Sequence, residues 1–178
     1  MNYLLHGQES SRLQFRTLEA DDFDTWLGFF KDPRSNKYWA MASAEPEIQC
    51  QRWFEKAFYR YEHGKGGMNV LIDKQSGDFI GQCGLLIQTV DGIEELEVGY
   101  SILPKFWNGG YATEAARRCI QYAFDNNFRE SLISIIHENN IESEKVALKN
   151  GMTLDKRTVY SNNPVKIYRI SKGSYFII

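Results

Sequence analysis

A glycine-rich turn at the start of a predicted helix is the stretch of this sequence best suited to binding a ligand. Gly109 and Gly110 follow an alternating segment that ends at Ile102, and a helical pattern begins near Thr113. Glycine allows positive φ and lets the backbone approach a ligand closely. The first turn of a helix also exposes unpaired N–H groups at the positive end of its dipole, which suits a phosphate. The pattern alone fits a phosphate site and an ordinary strand-to-helix connection equally well.

Two predicted strands flank this turn and would hold it in place. Apolar and polar residues alternate from Glu95 to Ile102, and Pro104 cannot continue a strand ladder. After the helix, residues 132–136 are almost wholly apolar, which is typical of a strand buried on both faces. Strand, helix and strand in this order predict a right-handed crossover between two parallel strands.

The remaining pattern predicts an α+β fold in a single domain of residues 1–178, with a mostly antiparallel sheet flanked by helices. Further strands are expected at 13–18, 69–73, 78–86, 153–159 and 165–170, with Asp91-Gly92 as a hairpin turn. Further helices are expected from Asp21 or Asp22 to about Lys31, from Glu45 to about His63, and from Ile141 to Asn150. The segment from Gly64 to Gly67 lacks the spacing of a nucleotide-binding loop and is interpreted as a flexible connection.

Composition and charge argue against several classes of function. The 178-residue chain has a formal net charge of −2, so it offers no bulk basic field for nucleic acid. No run approaches the roughly 18 apolar residues of a membrane span, and residues 1–17 are too polar for a secretory signal. Cys50, Cys83 and Cys119 fit reduced, buried thiols in a cytoplasmic protein better than a disulfide framework or a zinc site. We therefore expect a cytoplasmic protein with no metal, nucleic-acid or membrane partner.

Two motifs in this order resemble one family. The run from Glu97-Val98-Gly99-Tyr100 through Pro104 and Trp107 to Gly110–Ala115 resembles the acetyl-CoA signature of the GNAT superfamily, in its RimJ/RimL group. Asn140-x-x-Ser143 and Lys149-x-Gly151-Met152 are similar to that group's Asn-x-x-Ser and Lys-x-Gly-Phe, with Met152 in place of Phe. The resemblance covers Phe15 to about Lys172. It implies acetyl-CoA as co-substrate and a V-shaped splay between the two central parallel strands.

The resemblance also implies which residues contact acetyl-CoA. The superfamily's loop pattern Gln/Arg-x-x-Gly-x-Gly/Ala begins here at Lys105, with Asn108 at the first glycine and Gly110 at the second. Asparagine is among the non-glycine residues most tolerant of positive φ, so this loop can accept it. Backbone groups of Tyr100 and Ile102 would pair with the pantetheine arm. The backbone amides expected to hold the phosphates are those of Asn108, Gly109, Gly110, Tyr111, Ala112 and Thr113.

Glu97 and Ser143 are the candidate catalytic residues under this resemblance. Acetyl transfer from a thioester to an amine needs a neutral amine, a stabilised oxyanion and a route for the leaving thiolate. Glu97 would act as general base, directly or through water; the alternative is a solvated strand carboxylate. Ser143 would stabilise or protonate the sulfur, because Ala147 stands where many members have Tyr; the alternative is a helix-capping hydroxyl. Asn140 would contact the cofactor, cap its helix, or both.

The expected function is acetyl-CoA-dependent N-acetyl transfer in a ternary complex, and the acceptor is left open. Freeing a lysine-like amine at pH 7 costs roughly 4–5 kcal/mol, against about 1 kcal/mol for an α-amine. The resemblance implies a protein N-terminal α-amine, with small amines, amino acids and aminoglycosides as alternatives. The acidic segment from Asp91 to Glu97 favours a cationic acceptor or is solvated surface. A non-catalytic acyl-CoA-binding module is the alternative function, and both a monomer and a homodimer fit.

Two further features have alternative readings. Tyr38, Trp39, Trp53 and Phe58 belong to an aromatic stretch that either packs in the core or partly walls a substrate pocket. His137 follows the buried strand and is either structural or a second base. In both cases the structural reading is the expected one.

Overall fold

A computed structural model describes residues 3–35, 37–38 and 44–175. Within these residues, one mixed sheet has the strand order β1-β2-β3-β4-β5-β7-β6. The strands are β1 Leu13–Thr17, β2 Gly66–Asp73, β3 Phe79–Val90, β4 Ile93–Ile102, β5 Ser131–His137, β6 Thr153–Tyr160 and β7 Asn163–Ser171. The helices are α1 Phe23–Lys31, α2 Pro46–Glu62, α3 Tyr111–Asp125, α4 Ile141–Lys149 and α5 Lys172–Tyr175. The predicted α+β class is confirmed.

The centre of the sheet is the parallel pair β4 and β5, connected through α3. The other neighbouring strands are antiparallel. Among the described residues, the registered β4–β5 ladder consists of the single pair Glu97 and Ile133. Registered pairing between these two strands is thus limited to one point, which agrees with the splay that the family resemblance implies.

The alternation along β4 sends consecutive side chains to opposite faces of the sheet. Leu96 and Val98 join the apolar cluster that contains Cys119 and Ile120 of α3. On the other face, α1 and α2 pack over the sheet in a second cluster. Glu97 therefore points toward the α2 side, away from α3.

Several predicted boundaries differ from the structure, and β3 extends to Val90 instead of residue 86. Gly66 and Gly67 belong to β2, so the prediction of a flexible connection is wrong for that half of the segment. A Cβ atom on Gly66 would lie 2.0 Å from the carbonyl oxygen of Leu85, so only glycine fits this close strand contact. Glycines that this close contact requires were therefore interpreted as a flexible connection, although they belong to a strand. Helix α3 begins at Tyr111, slightly earlier than expected.

The described ranges contain no helix that combines the length and the apolar character needed to cross a membrane. Within the same ranges, no three or more His, Cys, Asp or Glu side chains are grouped so that they could hold a metal ion. The three cysteines are buried and free, as predicted for reduced thiols.

Candidate active site

The glycine-rich turn has the left-handed backbone that its sequence predicts. Asn108 has φ of 64° and Gly110 has φ of 79°. Asparagine and glycine are residue types that adopt this region readily, so Asn108 preserves the loop where the superfamily has glycine. A Cβ atom on Gly109 would lie 3.0 Å from the Tyr111 ring, which explains a glycine at this position as well.

Five backbone N–H groups of this turn are unpaired within the part of the chain that the structure describes. They belong to Asn108, Gly110, Tyr111, Ala112 and Thr113. Gly109 differs from the expectation, because its N–H donates to the carbonyl of Phe106 over 3.3 Å. Clustered free donors at the positive end of α3 form a site for an anion such as a pyrophosphate. The residues present therefore fit the phosphates of a coenzyme A thioester.

The turn is held by the side chains of Arg12, just before β1, and Asp73 of β2, neither of which the sequence analysis selected. Arg12 donates through Nη1 to the carbonyl of Gly109 over 3.0 Å and through Nε to Glu114 over 2.7 Å. The hydroxyl of Tyr111 donates to Asp73 over 3.0 Å. Burial acts to raise the pKa of Glu114, but hydrogen bonds from Arg12 and Ser10 lower it overall. No spacing in the sequence indicated this contact, since Arg12 and Glu114 are 102 residues apart.

The edge of β4 beyond Glu97 is the part of the strand predicted to pair with a pantetheine arm. Tyr100 and Ile102 lie past the single registered β4–β5 pair. The carbonyl of Ile102 accepts a 2.7 Å hydrogen bond from the indole N–H of Trp107, and the pairing of Ile102 with the arm stays a prediction. Lys105, at the start of the loop motif, is exposed and lies 4.6 Å from the centre of the Phe106 ring.

Glu97 is partly buried and held by hydrogen bonds, so the reading as a solvated carboxylate does not hold. Its Oε2 accepts from Nε2 of Gln88 over 2.7 Å, and the carboxylate also accepts from the backbone N–H of Ile135. Burial raises the pKa of Glu97, while these hydrogen bonds and the charge of Arg60 oppose the rise. A carboxylate in this setting can accept a proton near neutral pH more effectively than an ordinary glutamate.

The amino end of α4 presents Ser143 with a free hydroxyl. Oδ1 of Asn140 accepts the backbone N–H of Ser143 over 3.1 Å, so Asn140 caps the helix as predicted. The Ser143 hydroxyl has no hydrogen-bond partner among the described residues, so the capping alternative does not apply to it. Ala147 is 1% exposed and supplies no polar group.

The phenol of Tyr100 is a site group that sequence reasoning missed. Tyr100 was expected to contribute only its backbone, yet its hydroxyl donates to the carbonyl of Ser143 over 2.9 Å. Burial raises the pKa of Tyr100, so the phenol remains protonated and able to donate at neutral pH. The apolar alternation of β4 placed this ring on the α3 side, but only the packing of α4 brought it to Ser143.

The acidic segment does not present free negative charge. Asp91 pairs with Lys156 and Glu95 pairs with Arg169, each over 2.7 Å. Glu94 pairs with Arg129. Because these carboxylates are each compensated by a cation, the segment lends no support to a cationic acceptor.

The aromatic residues considered for a pocket wall lie in different surroundings: Trp53 packs against the core, whereas the Tyr38 ring lies 5.7 Å from that of His137. Trp53 lies against Trp26 with ring centres 5.5 Å apart and donates its indole N–H to Gln82. Phe58 is 39% exposed, and Trp39 lies outside the described residues. Nδ1 of His137 accepts the backbone N–H of Asn139 over 3.2 Å, which agrees with a structural role in the turn.

A cleft of about 630 Å³ lies at the edge of β3, where the strand continues past its pairing with β2. Its wall includes the cations Lys56, Arg60 and Lys65, together with Gln88. The splay lies on the opposite side of β4 from β3. The cleft is thus separate from the gap between β4 and β5 but shares Arg60 and Gln88 with the surroundings of Glu97.

Comparison with known proteins agrees with this geometry. The sequence profile described as an acetyltransferase (GNAT) domain matches residues 12–153. The uncharacterized protein YkkB of Bacillus subtilis (strain 168) is 32% identical over 161 residues, which cover 89% of this chain and 92% of that protein.

Solved structures show the same fold. The crystal structure of the acetyltransferase from Agrobacterium tumefaciens str. C58 has a TM-score of 0.79 at 24% identity and covers 96% of each chain. RimL, a ribosomal L7/L12 α-N-protein acetyltransferase in complex with coenzyme A, has a TM-score of 0.71 at 15% identity and covers 93% of this chain and 97% of that chain. The match of the family profile over most of the chain places this protein in the GNAT family of N-acetyltransferases.

Proposed function

We propose that this protein transfers an acetyl group from acetyl-CoA directly to the α-amine of a protein N-terminus, in a ternary complex and in the cytoplasm. The observation that carries the proposal is the placement of three features around one gap. Unpaired amides at the start of α3 lie beyond the carboxyl end of β4, Glu97 belongs to the registered β4–β5 pair, and Ser143 lies in the first turn of α4. Together they would provide a binding site for phosphate, a general base and a hydroxyl group.

Each residue has a defined task in this proposal. Acetyl-CoA supplies an activated acetyl thioester when it is bound. Glu97 accepts the proton of the attacking amine, directly or through a water molecule. The backbone N–H near Ile102 polarises the acetyl carbonyl, and the Ser143 hydroxyl stabilises or protonates the departing sulfur. The amides of Asn108 through Thr113, apart from that of Gly109, bind the phosphates, and Asn140 contributes its free amide nitrogen.

The choice of an α-amine follows from the energy that deprotonation requires. An α-amine has a pKa of about 7.7–8.0, so freeing it at pH 7 costs about 1 kcal/mol, against roughly 4–5 kcal/mol for a lysine-like amine. A single carboxylate with a raised pKa is a base of moderate strength and suits the less demanding acceptor. The structural neighbour RimL is an α-N-protein acetyltransferase, which supports the same class of acceptor.

Calorimetric titration with acetyl-CoA tests the cofactor half of the proposal. We expect micromolar binding, because the loop has its donors free despite Asn108 in place of glycine. No binding at millimolar acetyl-CoA would overturn the transferase proposal.

An amine panel with detection of released thiol tests the acceptor half. The panel contains peptides with a free α-amine, the same peptides blocked at the N-terminus but carrying lysine, and a polyamine, free amino acids and an aminoglycoside. We expect turnover of the free α-amine peptides above the blocked ones. Turnover of small amines alone would overturn the acceptor class, and binding without any turnover would favour the non-catalytic acyl-CoA-binding module.

A further inference from the structure

Gln88 connects Glu97 to two groups from other parts of the fold. Its Nε2 donates to Oε2 of Glu97 over 2.7 Å. Its Oε1 accepts from Nη2 of Arg60 over 2.9 Å and from the hydroxyl of Tyr160 over 3.0 Å. We propose that Gln88 is a positioning residue for Glu97, and that Arg60 and Tyr160 set the orientation of its amide. The hydrogen bonds of Gln88 do not depend on any assumed activity, whereas their consequence for acetyl transfer rests on the proposed function.

The donors around Gln88 allow one amide orientation. A guanidinium has five donors and no acceptor, so Arg60 can be paired only with the amide oxygen. With that oxygen occupied, the NH₂ group must face Glu97. The reverse orientation would place the amide oxygen against a carboxylate and the NH₂ against a guanidinium, with two hydrogen bonds lost.

Arg60 is itself fixed, so it provides a rigid reference for Gln88. Its side chain is buried, and Nη1 donates to the carbonyls of Lys65 over 3.2 Å and Ile87 over 3.0 Å. Arg60 lies on α2 and Gln88 on β3, so these bonds tie the helix to the strand that carries the amide. Tyr160 is the last residue of β6 and lies 72 positions from Gln88 in the chain. The carboxyl-terminal hairpin therefore contributes to the position of Glu97.

Several charged or titratable groups face Glu97. From α2 come Arg60 and Lys56, and Tyr160 approaches from β6. Tyr100 lies on the same strand, and Glu95 is compensated by Arg169 of β7. Burial raises the pKa of Glu97, and the bond from Gln88 is the largest of the influences that lower it. Removing that donor should therefore disfavour the carboxylate and also release it from one orientation.

The test is a side-chain carboxyl ¹³C NMR titration of the intact protein, which needs no acceptor amine. The Glu97 signal is identified by its loss in Glu97→Gln. We expect Gln88→Leu to raise the apparent pKa of Glu97 by about one unit or more, because a hydrogen bond to a charged group is removed. Tyr160→Phe should raise it less. The controls Gln51→Leu and Tyr122→Phe change the same residue types elsewhere and should leave the titration unchanged.

Two outcomes would overturn the inference: an unshifted Glu97 titration in Gln88→Leu, or shifts of equal size in the controls. If Gln88→Leu fails to fold, an unshifted titration in Tyr160→Phe overturns the role of the hairpin. Once an acceptor is known, the acid limb of kcat/KM should move with the NMR titration. If the acid limb of kcat/KM stays in place while the NMR titration of Glu97 shifts, Glu97 is rejected as the base. The coupling between Glu97 and Gln88 would still be established.

Discussion

The hydroxyl of Tyr100 donates a 2.9 Å hydrogen bond to the backbone carbonyl of Ser143, which joins β4 to the first turn of α4. Among the described residues, β4 and β5 share a single registered residue pair. Hydrogen bonds from side chains therefore provide further connections across this part of the sheet. Ser134 of β5 likewise donates from Oγ to the carbonyl of Val98 over 2.9 Å. These two hydrogen bonds thus connect β4 to α4 and to β5 beyond the registered pair of Glu97 and Ile133.

Substitution of Ser143 separates its proposed role from that of the neighbouring phenol. We expect Ser143→Ala to lower kcat on the order of 100-fold, as for the loss of a general acid, with unchanged acetyl-CoA affinity. Steady-state kinetics and calorimetry measure the two quantities. If Ser143→Ala keeps full kcat while Tyr100→Phe loses it, the phenol rather than the serine serves the leaving sulfur.

Asn108 provides a test of the loop backbone. Its φ of 64° is unstrained for glycine, so Asn108→Gly should bind acetyl-CoA as tightly as the wild type or more tightly. Asn108→Val should weaken binding, because a β-branched residue at positive φ costs about 1–3 kcal/mol. Asn162, with φ of 62°, is the matched control: Asn162→Val should lower the melting temperature and leave the calorimetric Kd unchanged. Equal Kd values for all three variants would contradict the role of the loop.

Substitution of Arg12 tests whether the glycine-rich turn must be preorganised before acetyl-CoA binds. Arg12→Met removes the side-chain bonds to Gly109 and Glu114, and we expect the Kd for acetyl-CoA to rise about tenfold. Arg12→Lys should rescue little, since an ammonium cannot reproduce the fork of donors. The exposed Arg52 supplies the control variant Arg52→Met. An unchanged Kd in Arg12→Met would show that the loop is preorganised without this contact.

The raised pKa of Glu97 predicts a pH dependence of stability with a definite sign. The native state holds its proton to higher pH than the unfolded chain, so stability falls as pH rises through the native pKa. We expect Glu97→Gln to melt at a higher temperature than the wild type at pH 8, and the difference to shrink toward pH 4. Calorimetric melting across this range measures the effect. A lower melting temperature for Glu97→Gln at pH 8 would show that the lost hydrogen bonds outweigh the removed charge.

Helix α4 is anchored to β7 by an ion pair that should matter for stability. Glu144 accepts from Nζ of Lys166 over 2.7 Å, and Lys166 is buried. Glu144→Gln should lower the free energy of unfolding by about 2 kcal/mol, because a buried ammonium loses its charged partner. The exposed pair Glu142 and Lys145 offers the comparison, since Glu142→Gln should change it by less than about 1 kcal/mol. Urea unfolding of both variants measures the two changes in the free energy of unfolding. Equal losses would contradict the role of the Glu144–Lys166 pair in anchoring α4.

Local chemistry made much of the fold predictable. Pro104 ended a strand, Asp91-Gly92 formed a hairpin turn, and Asn140 capped a helix, each because the residue type restricts its own backbone or satisfies a nearby group. The same logic failed at Gly66, where the need for glycine came from a neighbouring strand that composition does not reveal.

The order of elements, the glycine-rich turn and the family motifs could be predicted from the amino-acid sequence, because they depend on residues close together in the chain. The contacts that support the candidate site, in contrast, are visible only in the folded protein. The hydrogen bonds of Arg12 to the loop and the link from Tyr160 through Gln88 to Glu97 depend on three-dimensional packing. Contacts between residues up to 102 positions apart exist only after the chain has folded, so no local preference encodes them.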